Sequence, residues 1–280
     1  MQDILLDSKL KQWLEEDIGT GDLTSEAIIP EEAVTTGIIH AKETGVACGL
    51  SVAGQVFSLM DPRLVFTPLV KDGDVVHNKT LLARVDGPAR SVLSGERLAL
   101  NLLQHLSGIA TYTKKLADIV RPYHCRIVDT RKTIPGLRHL EKYAVRVGGG
   151  HNHRLGLYDA ILIKDNHIAV AGGITPAVTR AKTYASHMTK IEVEVENLEQ
   201  AKEALAAGAD VIMLDNMPPD AMKQCVAAIA HQAVVEASGG IDENNLLAVA
   251  QSGVDVISVG ALTHSAKALD ISLDIGSIKV

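Results

Sequence analysis

The chain has 280 residues, 46% of them hydrophobic, and carries 27 lysines and arginines against 34 aspartates and glutamates, for a formal net charge of -7. This acidic excess argues against nucleic acid or an anionic membrane surface as the main partner, because both require basic surfaces over a whole domain. The three cysteines have neither CxxC nor metal-ligand spacing, and no apolar run approaches the roughly 18 residues of a membrane span. We therefore expect a folded, enzyme-sized cytoplasmic protein without a signal peptide.

The first part of the chain predicts a mixed α/β domain. Residues 1–19, MQDILLDSKLKQWLEEDIG, place charges every few positions and predict an amphipathic helix. From Glu32 to Pro88, short strands alternate with Asp-Gly and Gly-Pro turns. A helix is expected within this region, from about Gly49 to Met60.

A long helix is predicted to begin at Glu96, in ERLALNLLQHLSGIATYTKKLADIV. Its apolar stripe is formed by Leu98, Leu102, Leu106 and Ile109. Another face carries Arg97, Asn101 and Gln104, for which exposure to solvent is the simplest interpretation.

After Arg126 the pattern changes to short apolar strands followed by helices. The strands are RIVDTRK, DAILIKDN, KIEVEVEN, DVIMLDN, AVVEASGG and DVISVGA. Nearly continuous Val, Ile and Leu are typical of parallel strands that are buried on both faces. Six or seven such units predict an α/β barrel, but the segment is shorter than the about 250 residues of a full barrel. We therefore expect an open, incomplete barrel, with a doubly wound open sheet as the alternative.

Basic residues are concentrated around the start of this second part. Residues 121–170 contain nine arginines and lysines against four acids, together with five of the eleven histidines. Within this segment LRHLEKYAVRV predicts a helix whose apolar stripe packs inward, leaving Arg138, Lys142 and Arg146 solvated. The remaining cations predict an anionic ligand. His151 and His153 are expected to donate hydrogen bonds to that anion, His153 more directly, because the neighbouring Arg154 would repel a metal ion.

The predicted strands end in two chemical kinds of residue. Basic and acidic groups follow the earlier strands, at Thr130–Lys132, Lys164–Asn166, Glu194, Glu196 and Asp215. In KIEVEVEN, alternation places Glu192, Glu194 and Glu196 on one face. Inward-facing carboxylates would have to pair with cations or, together with Asp215, hold Mg²⁺. The alternative is a solvated edge strand.

Glycine follows the last two strands, in EASGGI and SVGALTHS. Each motif is expected to lead into the start of a helix, where free backbone N–H groups and the helix dipole favour an anion. Barrel enzymes often bind phosphate after their last two strands. These residues therefore predict a phosphate site.

The motifs TRKTIPGLRHLEKYAVRVGGGHNHRLGLYDAILIKDNHI, ERLALNLLQHLSGIAT, IEVEVENLEQ, IMLDN, EASGGI and SVGALTHS together resemble quinolinate phosphoribosyltransferase over essentially the whole chain. The resemblance implies an N-terminal α/β sandwich over residues 1–110, to which a tail of residues 267–280 returns, and an open α/β barrel over residues 111–266. It implies transfer of the phosphoribosyl group of 5-phosphoribosyl-1-pyrophosphate to quinolinate with Mg²⁺, giving nicotinate mononucleotide, pyrophosphate and CO₂. It also implies a homodimer with a shared active site, and a higher oligomer is compatible with it.

The same resemblance implies roles for individual residues. The quinolinate pocket falls on Arg131, His153, Arg154 and Lys164, with Arg97 reaching in from the partner subunit, which replaces the solvated interpretation of that arginine. Thr130 is also expected to bind substrate. The phosphates and ribose fall on Lys132, Glu194, Asp215, Ser238, Gly239, Gly240, Gly260 and His264. We expect Lys132, Lys164, Glu194 and Asp215 to be catalytic, with Glu194 and Asp215 serving Mg²⁺ directly or through water.

Two alternatives to this function are considered. A related family associated with molybdenum transport shares the barrel and parts of the GGG and HR motifs, but not the full TRKT and IKDNH pair. A non-catalytic phosphate-binding module would need the glycine loops but not Glu194, Asp215 and Lys164 together.

Overall fold

The chain divides into two compact units in the computed structural model, which describes residues 6–276. The first unit comprises the chain up to Thr111 together with the segment from Ala266 onward, and the second runs from Tyr112 to Ser265. Residues 1–5 of the predicted N-terminal helix and residues 277–280 of the predicted returning tail lie outside the described residues.

Helices and strands alternate through most of the described chain. The strands are β1 (Val34–Ala41), β2 (Gly45–Val46), β3 (Val65–Pro68), β4 (Val75–Val76), β5 (Leu81–Pro88), β6 (Arg126–Val128), β7 (Ile161–Ile163), β8 (Ile191–Val195), β9 (Val211–Asp215), β10 (Val234–Ser238), β11 (Val256–Ser258) and β12 (Ile271–Ile275). The helices are α1 (Leu6–Ile18), α2 (Leu23–Ile28), α3 (Leu50–Met60), α4 (Ala89–Val120), α5 (Arg138–Val147), α6 (Asp165–Ala171), α7 (Ile174–Tyr184), α8 (Leu198–Ala207), α9 (Pro219–Ile229), α10 (Leu246–Ala250) and α11 (Ala261–His264).

The first unit is built on an antiparallel sheet in the order β12-β1-β5-β3, beside a small β2-β4 pair. Helix α3 packs on α1 and β3 and buries its apolar residues Leu50, Val52, Ala53, Val56 and Phe57. The Phe57 ring stacks on that of Phe66 in β3, with centroids 5.9 Å apart, a spacing typical of offset aromatic pairs. This packing secures the sheet on its helical side.

Helix α4 begins at Ala89, seven residues or about two turns earlier than the sequence predicts. Its first turns contain Ser91, Ser94 and Gly95, which are weak helix formers, but packing compensates. Val92 is fully buried, and a Cβ at Gly95 would lie only 3.2 Å from the Phe57 ring, so the two helices approach closely. Although α4 runs over 32 residues, no helix among the described residues is both long and apolar enough to cross a membrane.

The second unit is an open parallel barrel, as the sequence predicts. Its six strands lie in the order β6-β11-β10-β9-β8-β7, and every adjacent pair is parallel. The order follows the chain from β7 to β11 without the reversal of a doubly wound sheet. Helices α7, α8 and α9 each contact a strand that neighbours them in the chain. β6 and β7 form the two edges, and His151 makes a parallel bridge to Val128 at the free edge of β6.

Strand β8 lies inside this sheet, between β7 and β9. The alternative of a solvated edge strand for its glutamates is therefore wrong. Glu192 is buried and Glu194 is half-buried, whereas Glu196 lies beyond the strand and is exposed. The alternation of the strand thus directs two carboxylates into the barrel.

Candidate active site

A cavity of about 510 Å³ opens at the carboxyl ends of the barrel strands. Parallel strands end at one edge of their sheet, so residues far apart in the chain meet there. The predicted site residues that line the cavity are Thr130, Arg131, Lys132, His153, Arg154, Lys164, Glu194, Asp215, Ser238, Gly239 and Gly240. The cavity is also lined by residues that were not predicted as site residues: Leu162, Met213, Asn216, Glu236 and Ser258.

One wall of the cavity is cationic. Arg131 and Lys132 are exposed, whereas Arg154 is half-buried and donates from Nη1 to the Ala160 carbonyl at 3.1 Å. Burial, followed by the charge of Arg131, lowers the pKa of Arg154. Two guanidinium groups that repel each other in this way form a site that an anion stabilises, and bidentate carboxylate binding is their usual use.

The opposite wall combines a lysine with two carboxylates. The Lys164 Nζ lies 2.6 Å from Glu194 Oε2, the first on the residue after β7 and the second in β8. Asp215 ends β9 and accepts a hydrogen bond from Asn216 Nδ2 at 2.7 Å. Glu194 and Asp215 stand on neighbouring strands, so their oxygens face the same space as the lysine ammonium.

The glycine loop after β10 is held close to Asn216. The Asn216 N–H donates to the Ser238 carbonyl at 2.9 Å, and a Cβ on Gly239 would lie 2.3 Å from Asn216 Oδ1. Gly239 also has φ of +94°, which strongly favours glycine. The loop does not open a helix as predicted: α10 begins only at Leu246, after further turns, so backbone groups of the loop itself must serve any phosphate.

The last predicted phosphate residues lie beside the cavity but are not among its lining residues. Gly260 immediately precedes α11, and a Cβ there would lie 3.0 Å from Lys132 Cδ and 3.2 Å from His264 Nε2. The Lys132 carbonyl accepts a hydrogen bond from the Thr263 hydroxyl at 2.7 Å. Gly260 and His264 are therefore neighbours of Lys132. Arg97 lies in the first unit, where it is exposed and 3.7 Å from Glu96.

A buried ion pair holds the backbone of a residue that lines the cavity. Lys142 was predicted to be solvated, but it is fully buried and its Nζ donates to Asp129, which is also fully buried. The pair also holds the backbone of His153, whose N–H donates to Asp129 at 3.0 Å and whose carbonyl accepts from Lys142 at 3.2 Å. The solvated interpretation of Lys142 is therefore wrong, because Asp129 supplies a buried partner that helical periodicity does not reveal.

The other two cations of α5 differ from each other. Arg146 is exposed, as predicted, and its guanidinium lies 5.9 Å from the centre of the Tyr143 ring. Arg138 is only half-exposed, because it donates to the Thr133 hydroxyl at 2.9 Å and the Leu155 carbonyl at 3.2 Å. It thereby joins the two loops that flank the cavity.

The floor of the cavity holds His153 against two buried glutamates. His153 Nε2 lies 3.1 Å from Glu192 Oε2 and 3.6 Å from Glu236 Oε1. Burial opposes a charge on the ring, but the hydrogen bond to Glu192 and the charge of Glu236 outweigh it and raise the pKa of His153. Burial, followed by the charge of Glu192, raises the pKa of Glu236 to about 7.

Comparison with known proteins places the chain among relatives of similar length. It matches two family descriptions: "Quinolinate phosphoribosyl transferase, C-terminal domain" over residues 109–274 and the corresponding N-terminal domain over residues 22–107. A Bacillus subtilis protein named "Probable nicotinate-nucleotide pyrophosphorylase [carboxylating]" is 50% identical over 275 residues, covering 98% of this chain and 95% of its own length.

More distant relatives give the same result. A chloroplastic nicotinate-nucleotide pyrophosphorylase (carboxylating) of Arabidopsis thaliana is 43% identical and covers 96% of this chain and 82% of its own. Among solved structures, the nicotinate-nucleotide pyrophosphorylase of Francisella tularensis superposes with a TM-score of 0.94 at 42% identity, covering 98% of this chain and 97% of that chain.

Proposed function

The chain belongs to the quinolinate phosphoribosyltransferase family, and we propose how its cavity performs the family's reaction. The enzyme transfers the phosphoribosyl group of 5-phosphoribosyl-1-pyrophosphate to the ring nitrogen of quinolinate. The 2-carboxylate leaves as CO₂, and the products are nicotinate mononucleotide and pyrophosphate. This reaction is a step of de novo NAD biosynthesis.

The observation that carries the proposal is the convergence of one cationic wall and one mixed wall in a single cavity. Quinolinate is a dicarboxylate, and Arg131 and Arg154 supply the guanidinium groups that such a ligand requires. Lys164, which is paired with Glu194 at 2.6 Å, is proposed to bind quinolinate as well. A monocarboxylate would leave part of this cationic wall without a counter-ion.

The residue types fit the chemistry of the sugar carbon. Loss of pyrophosphate leaves positive charge on the ribose, which nearby carboxylates of Glu194 and Asp215 stabilise. We propose that Lys132, which lines the cavity, neutralises the departing anion. Once the ring nitrogen carries the ribose it becomes cationic and stabilises the electron pair that stays on ring carbon 2 when the bond to the 2-carboxylate breaks. CO₂ departs, and that carbon takes up a proton from water. The chain's residues therefore act mainly by holding the two substrates in line.

We propose Mg²⁺ as the cofactor, held jointly by protein and substrate. Glu194 and Asp215 offer oxygen ligands on adjacent strands, but neither belongs to a cluster of three metal-ligating side chains among the described residues. Mg²⁺ commonly binds one or two carboxylates and keeps waters and phosphate oxygens as its other ligands. When bound, it would neutralise the pyrophosphate leaving group.

We also propose that the working unit is a homodimer whose partner subunit contributes Arg97. Arg97 is exposed, and its ion-pair partner among residues 6–276 is Glu96, at the long distance of 3.7 Å. We infer that its guanidinium can bind a ligand in another chain. Mixing inactive Arg97→Ala and Lys164→Ala proteins should restore activity, because one of the mixed sites then has both residues. Failure to recover any activity after verified subunit exchange would contradict a shared site.

Product formation tests the proposed function. The protein should be incubated with quinolinate, 5-phosphoribosyl-1-pyrophosphate and Mg²⁺, and nicotinate mononucleotide measured by chromatography and mass spectrometry. Arg131→Ala should raise the KM for quinolinate by about tenfold or more, since a charge-assisted contact contributes roughly 1.5–3 kcal/mol. Arg121→Ala removes the same charge from an exposed position, where the arginine pairs with Asp118 outside the cavity lining, and should change little. Absence of product from protein shown to be folded would refute the function.

A further inference from the structure

The floor of the cavity contains a histidine whose two ring nitrogens both have protein partners. We propose that Glu192 and Glu236 are positioning residues: they hold His153 as the neutral tautomer protonated at Nε2, and His153 in turn fixes the backbone of Arg154. The inference rests on the proposed function only in assuming that Arg154 contacts quinolinate.

The hydrogen bonds of His153 define the tautomer. Its Nδ1 accepts the backbone N–H of Arg154 at 2.7 Å, so Nδ1 has no room for a proton of its own. The ring proton must then sit on Nε2, which faces Glu192 Oε2 at 3.1 Å and Glu236 Oε1 at 3.6 Å. A neutral imidazole with one donor and one acceptor satisfies all these contacts.

The three groups share one further proton, which the geometry assigns to Glu236. Glu192 and Glu236 are 6% and 3% exposed, and each has one Oε1 atom without a hydrogen bond among the described residues. Carboxylate oxygens of the two glutamates lie within 4.8 Å of each other, and two buried carboxylates this close repel each other strongly when both are ionised. A proton on His153 would turn the Arg154 contact into a clash between two donors. A proton on Glu236, whose pKa burial and Glu192 raise to about 7, removes the repulsion without that clash. It also removes the negative charge of Glu236 that otherwise helps to raise the pKa of His153.

The same tautomer argues against a metal ion in this cluster. Ligand atoms of His153, Glu192 and Glu236 lie within 4.8 Å of one another, close enough to surround an ion. A histidine that binds a metal through Nε2 normally donates its Nδ1–H to a second partner. Here Nδ1 is an acceptor, so Nε2 is a donor and not a ligand.

The arrangement matters to the substrate through Arg154. The backbone of this residue is held by His153, and its guanidinium donates to the Ala160 carbonyl at 3.1 Å. The backbone of His153 is held separately by Asp129 and Lys142. Removing the acceptor at residue 192 would therefore release the ring and then Arg154, without disturbing the phosphate loop at Gly239 and Gly240.

Matched variants at residue 192 test the positioning role. Glu192→Gln keeps an acceptor of the same length, and Glu192→Met keeps the length without a strong acceptor. We expect Glu192→Met to raise the KM for quinolinate by about tenfold, with the KM for 5-phosphoribosyl-1-pyrophosphate unchanged. The KM of Glu192→Gln for quinolinate should stay close to that of wild type, because the amide oxygen still accepts the hydrogen bond. Equal behaviour of the two variants, or a parallel rise of both KM values in protein that is folded by circular dichroism, would overturn the proposal.

A spectroscopic measurement tests the tautomer without turnover. Long-range ¹H–¹⁵N correlation spectra of protein labelled at histidine report which ring nitrogen carries the proton, and His153→Gln assigns the signal. The expected result at pH 6, below the pKa of about 7 of Glu236, is a neutral ring protonated at Nε2 in both wild type and Glu236→Gln. An imidazolium or an Nδ1–H ring would overturn the proposal, as would a stoichiometric divalent cation that is lost in Glu236→Gln. The spectrum needs no turnover. It therefore tests the tautomer of His153 even if the wild-type protein makes no product and the proposed function is wrong.

Discussion

Replacing Lys142 by methionine should be among the most destabilising single changes in the second unit. The Lys142 and Asp129 side chains are 1% and 0% exposed, so the substitution leaves a buried carboxylate without its cation. Breaking such a pair costs about 3–5 kcal/mol. Methionine keeps most of the apolar volume, and Asn152 and the His153 N–H still donate to Asp129. We therefore expect a loss near the lower end, about 3 kcal/mol.

The loss should depend on pH in a defined direction. Burial raises the pKa of Asp129, and Lys142 is the largest opposing influence, so the variant raises this pKa further. A carboxyl group with a raised pKa in the folded state stabilises the protein below its unfolded pKa and loses that contribution as pH rises through the folded pKa. The free energy of unfolding that Lys142→Met loses relative to wild type should consequently be larger at pH 7.5 than at pH 5.

Urea unfolding followed by far-UV circular dichroism measures this loss as the change in midpoint multiplied by the m value. Tryptophan fluorescence would follow the wrong unit, because the chain's one tryptophan is Trp13. Lys202→Met is the matched control: this lysine is half-exposed and pairs at 2.9 Å with an exposed glutamate, so its loss should cost at most about 1 kcal/mol. Asp129→Asn combined with Lys142→Met should recover stability. A Lys142→Met loss equal to that of the control, or a double variant no better than the single, would refute the reasoning.

Three further changes have defined outcomes. Because the pKa of Glu236 is raised to about 7, its contribution to stability is lost as pH rises from about 4.5 to about 7, by roughly 3 kcal/mol; Glu236→Gln should flatten that decline in urea unfolding, and an unchanged slope would contradict the raised pKa. Gly239→Ala would place a Cβ 2.3 Å from Asn216 Oδ1, so the KM for 5-phosphoribosyl-1-pyrophosphate should rise about tenfold or more while quinolinate binding, measured by calorimetry, is retained. Removing Mg²⁺ with a chelator should abolish nicotinate mononucleotide formation but leave quinolinate binding intact, and full activity without divalent cations would exclude the cofactor.

The site residues at strand ends could be predicted from the sequence for a simple geometric reason. Arg131, Lys164, Glu194 and Asp215 each stand at or just after the end of an apolar run, and parallel strands bring such ends together. Finding them required only the strand boundaries and the parallel arrangement. Their roles in the reaction stay predictions that the variants above can test.

The sequence alone could not predict the environment of residues whose partners are distant in the chain. Lys142 occupies a helical position between two turns of the apolar stripe, and nothing local shows that Asp129 lies buried beneath it. Glu236 stands alone in AVVEASGG, and its partners come from β8 and from the loop after α5. The available signal was its alternation with Ser238, since residues two apart on a strand share a face. That spacing predicts that Glu236 faces the inside of the barrel, but it does not predict whether the carboxyl group is protonated.

The buried groups also change the meaning of the basic segment. Lys142 is neutralised by Asp129, and Lys164 is paired with Glu194, so neither contributes a free positive charge to the empty cavity. The other cations that line the cavity are Arg131, Lys132 and Arg154. Burial, followed by the charge of Arg131, lowers the pKa of Arg154, and the charges of Glu192 and Asp159 oppose this in part. An anion that enters the cavity relieves this repulsion, so we expect a ligand with two adjacent carboxylates to gain more than one with a single charge. We therefore predict that selectivity for a dicarboxylate depends on Arg131 and Arg154 together, and, on the proposal above, on His153 and its two glutamates, which fix Arg154.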